Sequence, residues 1–357
     1  MKAYSNFPGM RVARRTIEAL LPALLFSATG LSFQTGVMAA DTSTRPASTA
    51  AKAPETKIST RLVLLGTEGG PVVDAQRSGI ASLLVVGGRP YLIDCGIGTV
   101  RRLKQVGYEP GDITRVFITH LHMDHTADLG ALGAFGWTSA GPQPMQVYGP
   151  PGTKRTVDGA HAFYAEATDI FATQLPPRPP LAQLFKGTDV DAGASPTVIY
   201  QDDLIRVLAV ENSHYQTIRP ELRKGMTWKS YSYRVETPDR VIVFSGDTGP
   251  SDALISLAQG ADILVSEALD LASTMALVQS RFKVSAAALE PMAEHMRHEH
   301  LEGAEIGKIA NAAKVKMVVL SHFGPNIDPV TNKIPYIERV KKYYDGPVIL
   351  GNDLQQF

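Results

Sequence analysis

Short apolar runs, separated by glycine, proline and aspartate, recur through the chain after residue 60. Their length of three to six residues and their content of β-branched side chains predict β-strands. The runs lie at residues 62–65, 81–86, 91–93, 116–118, 146–148, 205–210, 230–235, 241–244, 263–265, 318–320 and 348–350. The first runs are spaced as in hairpins, which predicts antiparallel pairing at the start of this region.

Longer stretches with apolar positions three and four residues apart alternate with some of these runs and predict helices. They cover residues 99–106, 127–134, 154–167, 251–259, 301–312 and 336–344. This mixture favours an α/β fold, a sandwich of sheets with helices packed outside. Segment 174–183, which carries four prolines, is predicted to be a loop or arm that covers a site.

The first 40 residues have a different pattern. A basic beginning is followed by an apolar stretch at 17–33 and by small residues at 37–40. The basic side chains are Lys2, Arg11, Arg14 and Arg15. This order predicts a secretory signal peptide over residues 1–40, and hence a periplasmic or secreted protein. A membrane anchor is the alternative, and the Arg14-Arg15 pair leaves the twin-arginine route open.

The rest of the chain divides into a short spacer and one domain. Residues 41–58 are rich in Thr, Ser, Ala and Pro, which predicts a flexible spacer. Residues 59–357 show no second linker and no repeat, and they are numerous enough to bury a large core. The single cysteine, Cys95, excludes an internal disulfide and is expected to be a small buried residue.

The charge balance bears on the substrate. The chain has 35 basic and 35 acidic residues, and residues 1–40 contain four basic side chains and one acidic one. The remaining domain is therefore about three charges negative, without the basic surplus of proteins that bind nucleic acids. We expect a small-molecule substrate, no nucleic-acid partner, and no stable membrane association once the signal peptide is removed.

The densest group of chemically active side chains directly follows the predicted strand at 116–118. It consists of His120, His122, Asp124 and His125. Imidazole nitrogens and carboxylate oxygens suit zinc and neighbouring metals. Four ligands this close in sequence cannot all reach one ion without help from elsewhere. The run therefore predicts two adjacent metals that share one loop, which is a site for hydrolysis.

A two-metal site needs further ligands, and three polar residues follow strands later in the chain. They are His214, Asp247 and His322. Strand ends are rigid positions for side chains that must hold ligand distances closely. Each residue alone could instead cap a turn or be a hydrogen-bonded histidine of the core. Together with the histidine-rich run, they predict one dinuclear centre.

Segment 120–125 resembles the HxHxDH signature of the metallo-β-lactamase-fold hydrolases. His214, the turn at 245–248 and the segment 321–323 come in the order of that superfamily's later metal motifs. The resemblance covers nearly all of residues 61–357. It implies a four-layer αββα sandwich of two mixed sheets with external helices.

Within that superfamily, the chain is most similar to the branch of ribonuclease Z and arylsulfatase-like phosphodiesterases. Residues 149–153 resemble the branch's Gly-Pro-x-Gly-Thr helix start, and residues 245–248 resemble its bridging-aspartate turn. His300 stands where the branch carries a catalytic histidine, with His295 and His298 as competing candidates. Asp94 resembles the first-motif aspartate, which supports the metal loop without binding a metal.

The resemblance also implies a role for each ligand. His120, His122 and His214 hold one metal, Asp124, His125 and His322 hold the other, and Asp247 bridges them. Two divalent ions are implied, most readily zinc, with manganese and iron as alternatives by ligand type.

Two cations about 3.5–4 Å apart lower the pKa of a water between them, so that hydroxide can attack at neutral pH. His300 is the predicted general acid for the leaving group, and Glu267 is predicted to orient it. Asp124 is assigned to catalysis with this pair. For Glu267 the alternative is a strand-end residue that caps a neighbouring loop.

We interpret the chain as an exported dinuclear hydrolase of a small phosphodiester or aryl sulfate ester. A tRNA 3′-processing endonuclease of the ribonuclease Z type and a lactonase or β-lactamase are the alternatives. A binding protein on an inactivated scaffold is a further alternative. It would lack some of the metal ligands, and the sequence has all of them. Loops 135–141 and 171–183 are expected to select the substrate. The oligomeric state stays open, although hydrolases of this branch are often dimers.

Overall fold

The computed structural model describes residues 58–324 and 333–357. The predicted signal peptide at 1–40 and the spacer at 41–58 lie outside the described residues, apart from Ile58. Both segments, and the boundary of the domain after them, therefore stay predictions. In the described ranges, no helix is long and apolar enough to cross a membrane.

Six strands form the first sheet in spatial order along the chain, from β1 to β6. They are β1 (Thr60–Gly66), β2 (Ala81–Val86), β3 (Arg89–Ile93), β4 (Arg115–Phe117), β5 (Met145–Gly149) and β6 (Phe185–Asp189). The first three pair antiparallel, as their hairpin spacing predicts, and β3 to β6 pair in parallel. The sheet is therefore mixed.

Seven strands form the second sheet, in the reverse spatial order from β13 to β7. They are β7 (Thr197–Gln201), β8 (Arg206–Glu211), β9 (Tyr231–Glu236), β10 (Val241–Phe244), β11 (Ile263–Ala268), β12 (Val318–Phe323) and β13 (Val348–Leu350). Strands β7 to β10 pair antiparallel, and β10 to β13 pair in parallel. Strands β8, β10, β11 and β12 therefore run in one direction, and their carboxyl ends share one edge.

The helices in the described ranges connect these strands. They are α1 (Thr99–Gln105), α2 (Met123–Thr126), α3 (Leu129–Trp137), α4 (Thr153–Ala172), α5 (Leu181–Leu184), α6 (Asp252–Leu257), α7 (Leu271–Phe282), α8 (Ala286–Glu299), α9 (Gly303–Ala312) and α10 (Lys333–Lys341). Helix α8 contains Pro291 and ends directly before His300.

Three apolar layers hold the sheets and helices together. Between the sheets, Leu64 and Phe117 of the first pack with Tyr233 of the second, and all three are fully buried. Outside the first sheet lie α1, α3 and α4, and outside the second lie α6, α9 and α10. Burial of each large side chain contributes on the order of 1.5–3 kcal/mol, so the layers account for the association of helices and sheets. The predicted four-layer sandwich of two mixed sheets is confirmed.

Two strands and two long helices were not predicted from the sequence pattern. Strands β6 and β7 lie at the edges of their sheets, where one neighbour is missing and few side chains are buried. Helices α7 and α8 pack against each other and line the cavity that contains His122, Asp247 and His322. The proline-rich segment 174–183, which we expected to cover a site, packs on α3. Trp137 Nε1 donates to the Pro179 carbonyl at 2.8 Å.

Candidate metal centre

The predicted ligands lie where the topology of the strands brings their ends together. His214 follows β8 and Asp247 follows β10, each by three residues, and His322 lies near the end of β12. These three strands share a direction, so the side chains meet at one edge of the second sheet. The histidine-rich run reaches the same point from the end of β4, with Asp124 and His125 on α2.

A first group of four side chains, His120, His122, His214 and Asp247, has its ligand atoms within 4.8 Å of one another. His122 Nδ1 lies 3.1 Å from His120 Nε2 and 3.3 Å from His214 Nε2. Asp247 Oδ2 is 3.8 Å from His120 Nε2 and 4.0 Å from His214 Nε2. Ligands on a tetrahedral zinc at about 2.0–2.1 Å are roughly 3.3 Å apart, so the group has the spacing of a metal site.

A second group consists of Asp124, His125, Asp247 and His322. His322 Nε2 lies 3.2 Å from His125 Nε2, 3.3 Å from Asp124 Oδ2 and 3.2 Å from Asp247 Oδ1. Asp247 thus directs Oδ1 towards this group and Oδ2 towards the first. The geometry fits the bridging position that the sequence resemblance implies for Asp247.

One buried carboxylate oxygen shows whether the centre fits a metal ion. Asp247 Oδ1 is buried without a hydrogen-bond partner, although two imidazole nitrogens lie 3.2 and 3.3 Å away. A buried carboxylate oxygen in this situation is costly unless a positive charge satisfies it. Acceptor atoms from Asp124, Asp247 and the imidazole rings converge on the same two points. The residues therefore fit divalent metal ions, and the two groups form a candidate site for them.

The electrostatics differ between the two groups. Burial lowers the pKa of His120 well below its ordinary value and that of His214 to about 3, which keeps both rings in the neutral form that binds metals. Burial also lowers the pKa of His125, but the carboxylates of Asp247, Asp94 and Asp124 outweigh it and raise the pKa well above its ordinary value. The second group therefore attracts positive charge strongly.

Residues behind the ligands fix which ring nitrogen faces the centre. Asp94 Oδ2 lies 3.0 Å from His125 Nδ1, and Asp94 Oδ1 accepts from the Thr119 backbone N–H at 2.8 Å. His214 Nδ1 donates to the Glu299 carbonyl at 2.9 Å. Such contacts hold the tautomer and orientation of ligand imidazoles. Asp94 and His322 both have positive φ, 58° and 50°, a conformation that concentrates at functional sites.

His300 and Glu267 form a pair next to this centre. His300 Nδ1 lies 2.7 Å from Glu267 Oε2, and Glu267 Oε1 accepts from the Thr248 backbone N–H at 2.5 Å. Burial lowers the pKa of His300, but the Glu267 carboxylate outweighs it and raises the pKa to about 9. The imidazole is therefore protonated at neutral pH. His300 Nδ1 is also 4.0 Å from Asp247 Oδ2, which places the pair within reach of a substrate at the centre.

The competing histidines of α8 point elsewhere. His295 Nε2 pairs with Glu299 Oε2 at 3.0 Å, and His298 Nε2 pairs with Glu294 Oε1 at 3.2 Å. Both rings are exposed, and neither lines the cavity at the centre. Of the three candidates, the structure brings only His300 to the site. Glu267 contacts His300 as well as the loop that contains Thr248, so it does more than cap that loop.

A cavity of about 390 Å³ opens beside the metal groups. Its walls are mainly apolar and come from the loop after β1 and from α7 and α8. They include Pro71, Val72, Met123, Leu269, Leu277, Val278 and Met296. No lysine or arginine occurs among its described lining residues. Loops 135–141 and 171–183, which we expected to select the substrate, do not line it.

Comparison with known proteins shows which family the chain matches. Residues 89–323 match the family described as Beta-lactamase superfamily domain. The chain is 30% identical over 299 residues to a ribonuclease Z from Mycobacterium sp. (strain KMS), which covers 83% of this chain and 94% of that protein. It is 28% identical over 304 residues to a ribonuclease Z from Mycobacterium bovis (strain BCG / Pasteur 1173P2), with 83% and 96% covered.

Solved structures show the same fold. The metallo-beta-lactamase fold protein YhfI from Bacillus subtilis superposes with a TM-score of 0.58 at 18% identity, over 84% of this chain and 99% of that one. The short form of human tRNase Z superposes with a TM-score of 0.54 at 22% identity, over 83% and 98% of the two chains. At these identities the likeness concerns the fold.

The similarity to ribonuclease Z proteins contradicts our expectation that nucleic acid is not a partner. That expectation came from the net charge of the whole domain. Nucleic acids, however, are bound by local groups of cationic side chains, whose effect the sum over a domain does not record. The net charge of the domain therefore does not exclude a nucleic-acid substrate.

Proposed function

Because the chain belongs to the beta-lactamase superfamily, near its ribonuclease Z members, we propose that it cleaves phosphodiester bonds at a dinuclear metal centre. The observation that carries the proposal is the position of Asp247, whose two oxygens face two separate groups of ligands. Ligand type favours zinc. When bound, two such cations supply the Lewis acidity that makes water a nucleophile at neutral pH.

The chain's own residues have separate tasks in this reaction. Asp94 and Thr119 hold His125 in place, and the Glu299 carbonyl holds His214. His300 delivers a proton to the leaving oxygen. Its Nδ1 is bonded to Glu267, which leaves Nε2 as the nitrogen that would donate this proton. General acids of this kind contribute about 10²–10⁴-fold to the rate.

RNA is the substrate class that the comparisons support best, and cleavage of a tRNA precursor is its direct test. The support is 30% identity over 94% of a ribonuclease Z. We would incubate the purified protein and its Asp247→Asn variant with a tRNA precursor that carries a 3′ trailer. Cleavage by the wild type alone is expected. Absence of cleavage, with turnover of a small phosphodiester retained, would contradict RNA as the substrate.

A second candidate substrate rests on the apolar cavity. A small phosphodiester or sulfate ester with an aryl group would place that group against Leu277, Val278 and Met296. We expect Leu277→Asn to raise KM for an aryl diester by about tenfold, the effect of lost apolar contact in a pocket. Gln279→Ala, on the same helix but outside the cavity, is the matched control. An unchanged KM in Leu277→Asn would exclude this binding mode.

We propose that the protein acts outside the cytoplasm, since residues 1–40 have the order of charge and apolarity of a signal peptide. Fractionation of cells that produce the full chain tests this point. Cleaved protein in the periplasm or medium is expected, and the substrate would then be RNA or a small phosphodiester outside the cytoplasm. Uncleaved protein in the cytoplasm would contradict export and would favour tRNA.

A further inference from the structure

The apolar cavity beside the metal centre adjoins two further cavities. It shares Met123, Asp124 and residues 70–72 with a second cavity of about 210 Å³. That cavity shares Val73, Asp74, Arg77 and Ile97 with a third of about 190 Å³. The third cavity is also lined by Arg101 and Arg102 of α1. We call these three adjoining cavities, which share lining residues between Asp124 and Arg101, the arginine groove.

The part of the arginine groove nearest the metal centre is tied to it directly. The Gly70 backbone N–H donates to Asp124 Oδ2 at 2.9 Å, so the groove wall is held by a candidate metal ligand. Three apolar side chains then stand along its rim with large exposed fractions. They are Met123, Val73 and Ile97, exposed by 69%, 66% and 42%. All three line the cavity of about 210 Å³, so the groove offers apolar surface there.

At its far end the groove carries three arginines, two of which are engaged by the protein. Arg102 Nη2 pairs with Asp353 Oδ2 at 2.6 Å, and the Arg77 guanidinium lies 5.1 Å from the Phe323 ring centroid. Arg101 is exposed, and none of the ion pairs found among the described residues includes it. The carboxylate in this cavity, Asp74, accepts from the backbone N–H groups of Gln76 and Arg77.

We propose that the arginine groove is the path of the RNA chain away from the cleaved bond, and that Arg101 contacts a backbone phosphate. The inference rests on the proposed function and extends it. The metal centre holds one phosphate, the apolar rim offers surface to bases, and the guanidinium of Arg101 offers a cation to a further phosphate. Arginine suits this contact because its planar group binds phosphate oxygens in pairs.

The experiment compares Arg101→Gln with Arg155→Gln. Arg155 is exposed on α4 and lines none of the three cavities, so it is a matched control for loss of one surface charge. Binding of a fluorescently labelled single-stranded RNA to the metal-loaded protein is followed by anisotropy, read before cleavage, at several salt concentrations. Thermal denaturation and metal content verify that both variants are folded.

Loss of one phosphate contact lowers the slope of log Kd against log salt by about 0.7, and it weakens binding about fivefold near 0.1 M salt. We expect this for Arg101→Gln and wild-type binding for Arg155→Gln. Equal effects in both variants, no effect in Arg101→Gln, or no RNA binding by the wild type would each overturn the inference. RNA that is bound through Arg101 but never cleaved would leave the groove standing and refute the proposed function.

Discussion

His300 Nδ1 lies 2.7 Å from Glu267 Oε2, and this contact sets the protonation of the imidazole. Both residues are on the second sheet's side of the centre, Glu267 near the end of β11 and His300 directly after α8. The Glu267 carboxylate outweighs burial and raises the pKa of His300 to about 9. The pair therefore offers a proton beside the candidate metal centre, as the proposed hydrolysis requires.

We predict that Glu267→Gln shifts the alkaline limb of kcat/KM to lower pH. Protonated His300 predominates below its pKa of about 9, so activity falls as the pH rises through that value. Glutamine keeps the shape and removes the charge. The pKa of His300 then falls from about 9, because burial lowers it and only the more weakly acting Asp247 and Glu299 still raise it. A pH profile with a chromogenic phosphodiester measures the shift.

Glu290→Gln is the control for that profile, because Glu290 lies on exposed α8 surface and pairs with Arg297 rather than with His300. Its profile should match that of the wild type. A Glu267→Gln profile with an unmoved alkaline limb and a uniformly lower rate would assign Glu267 a structural role only.

We predict that Asp94→Asn weakens metal binding about 10- to 100-fold, the usual effect of removing a carboxylate behind a ligand imidazole. Asparagine tolerates the positive φ of Asp94, so the backbone is expected to keep its path. Titration against a chromogenic chelator gives the affinity. Asp128→Asn is the control, since Asp128 accepts from the Val100 backbone N–H and faces no ligand. Equal affinities in both variants would refute this role for Asp94.

We predict that Gly69→Ala removes one metal rather than both. A Cβ at residue 69 would overlap the His322 ring, which supplies a ligand to the second group only. Metal content per chain should fall towards one, with the first group intact. Gly141→Ala is the control because a Cβ there meets no atom within 4 Å. Two metals bound in Gly69→Ala would show that His322 can move without losing its ion.

The seven ligand positions could be predicted because their signals are local. Four of them fall within residues 120–125, and the others follow strands whose apolar runs are clear in the sequence. The apolar runs also predicted most of the strands and, with the family resemblance, the two-sheet sandwich. The structure places all seven side chains together, and their role as ligands is what the metal experiments test.

The walls of the cavity could not be predicted, because their residues carry weak local signals. Pro291 interrupts the helical pattern of α8, and the apolar residues of α7 face a cavity instead of a sheet. Strand β6 has the sequence Phe-Lys-Gly-Thr-Asp, in which only Phe185 is buried, so its sequence pattern is that of a loop. An edge strand needs few apolar residues, and β6 lies at the edge of its sheet. Which loops reach the site depends on the fold as a whole.

The central claim, a dinuclear hydrolytic centre bridged by Asp247, is tested most directly by metal content and activity in Asp247→Asn. We predict two metal ions per chain in the wild type by mass spectrometry. We predict fewer in Asp247→Asn, together with loss of phosphodiester cleavage, while the exposed control Asp252→Asn keeps both properties. A wild type with fewer than two ions, or an Asp247→Asn variant that retains two ions and full activity, would contradict the account.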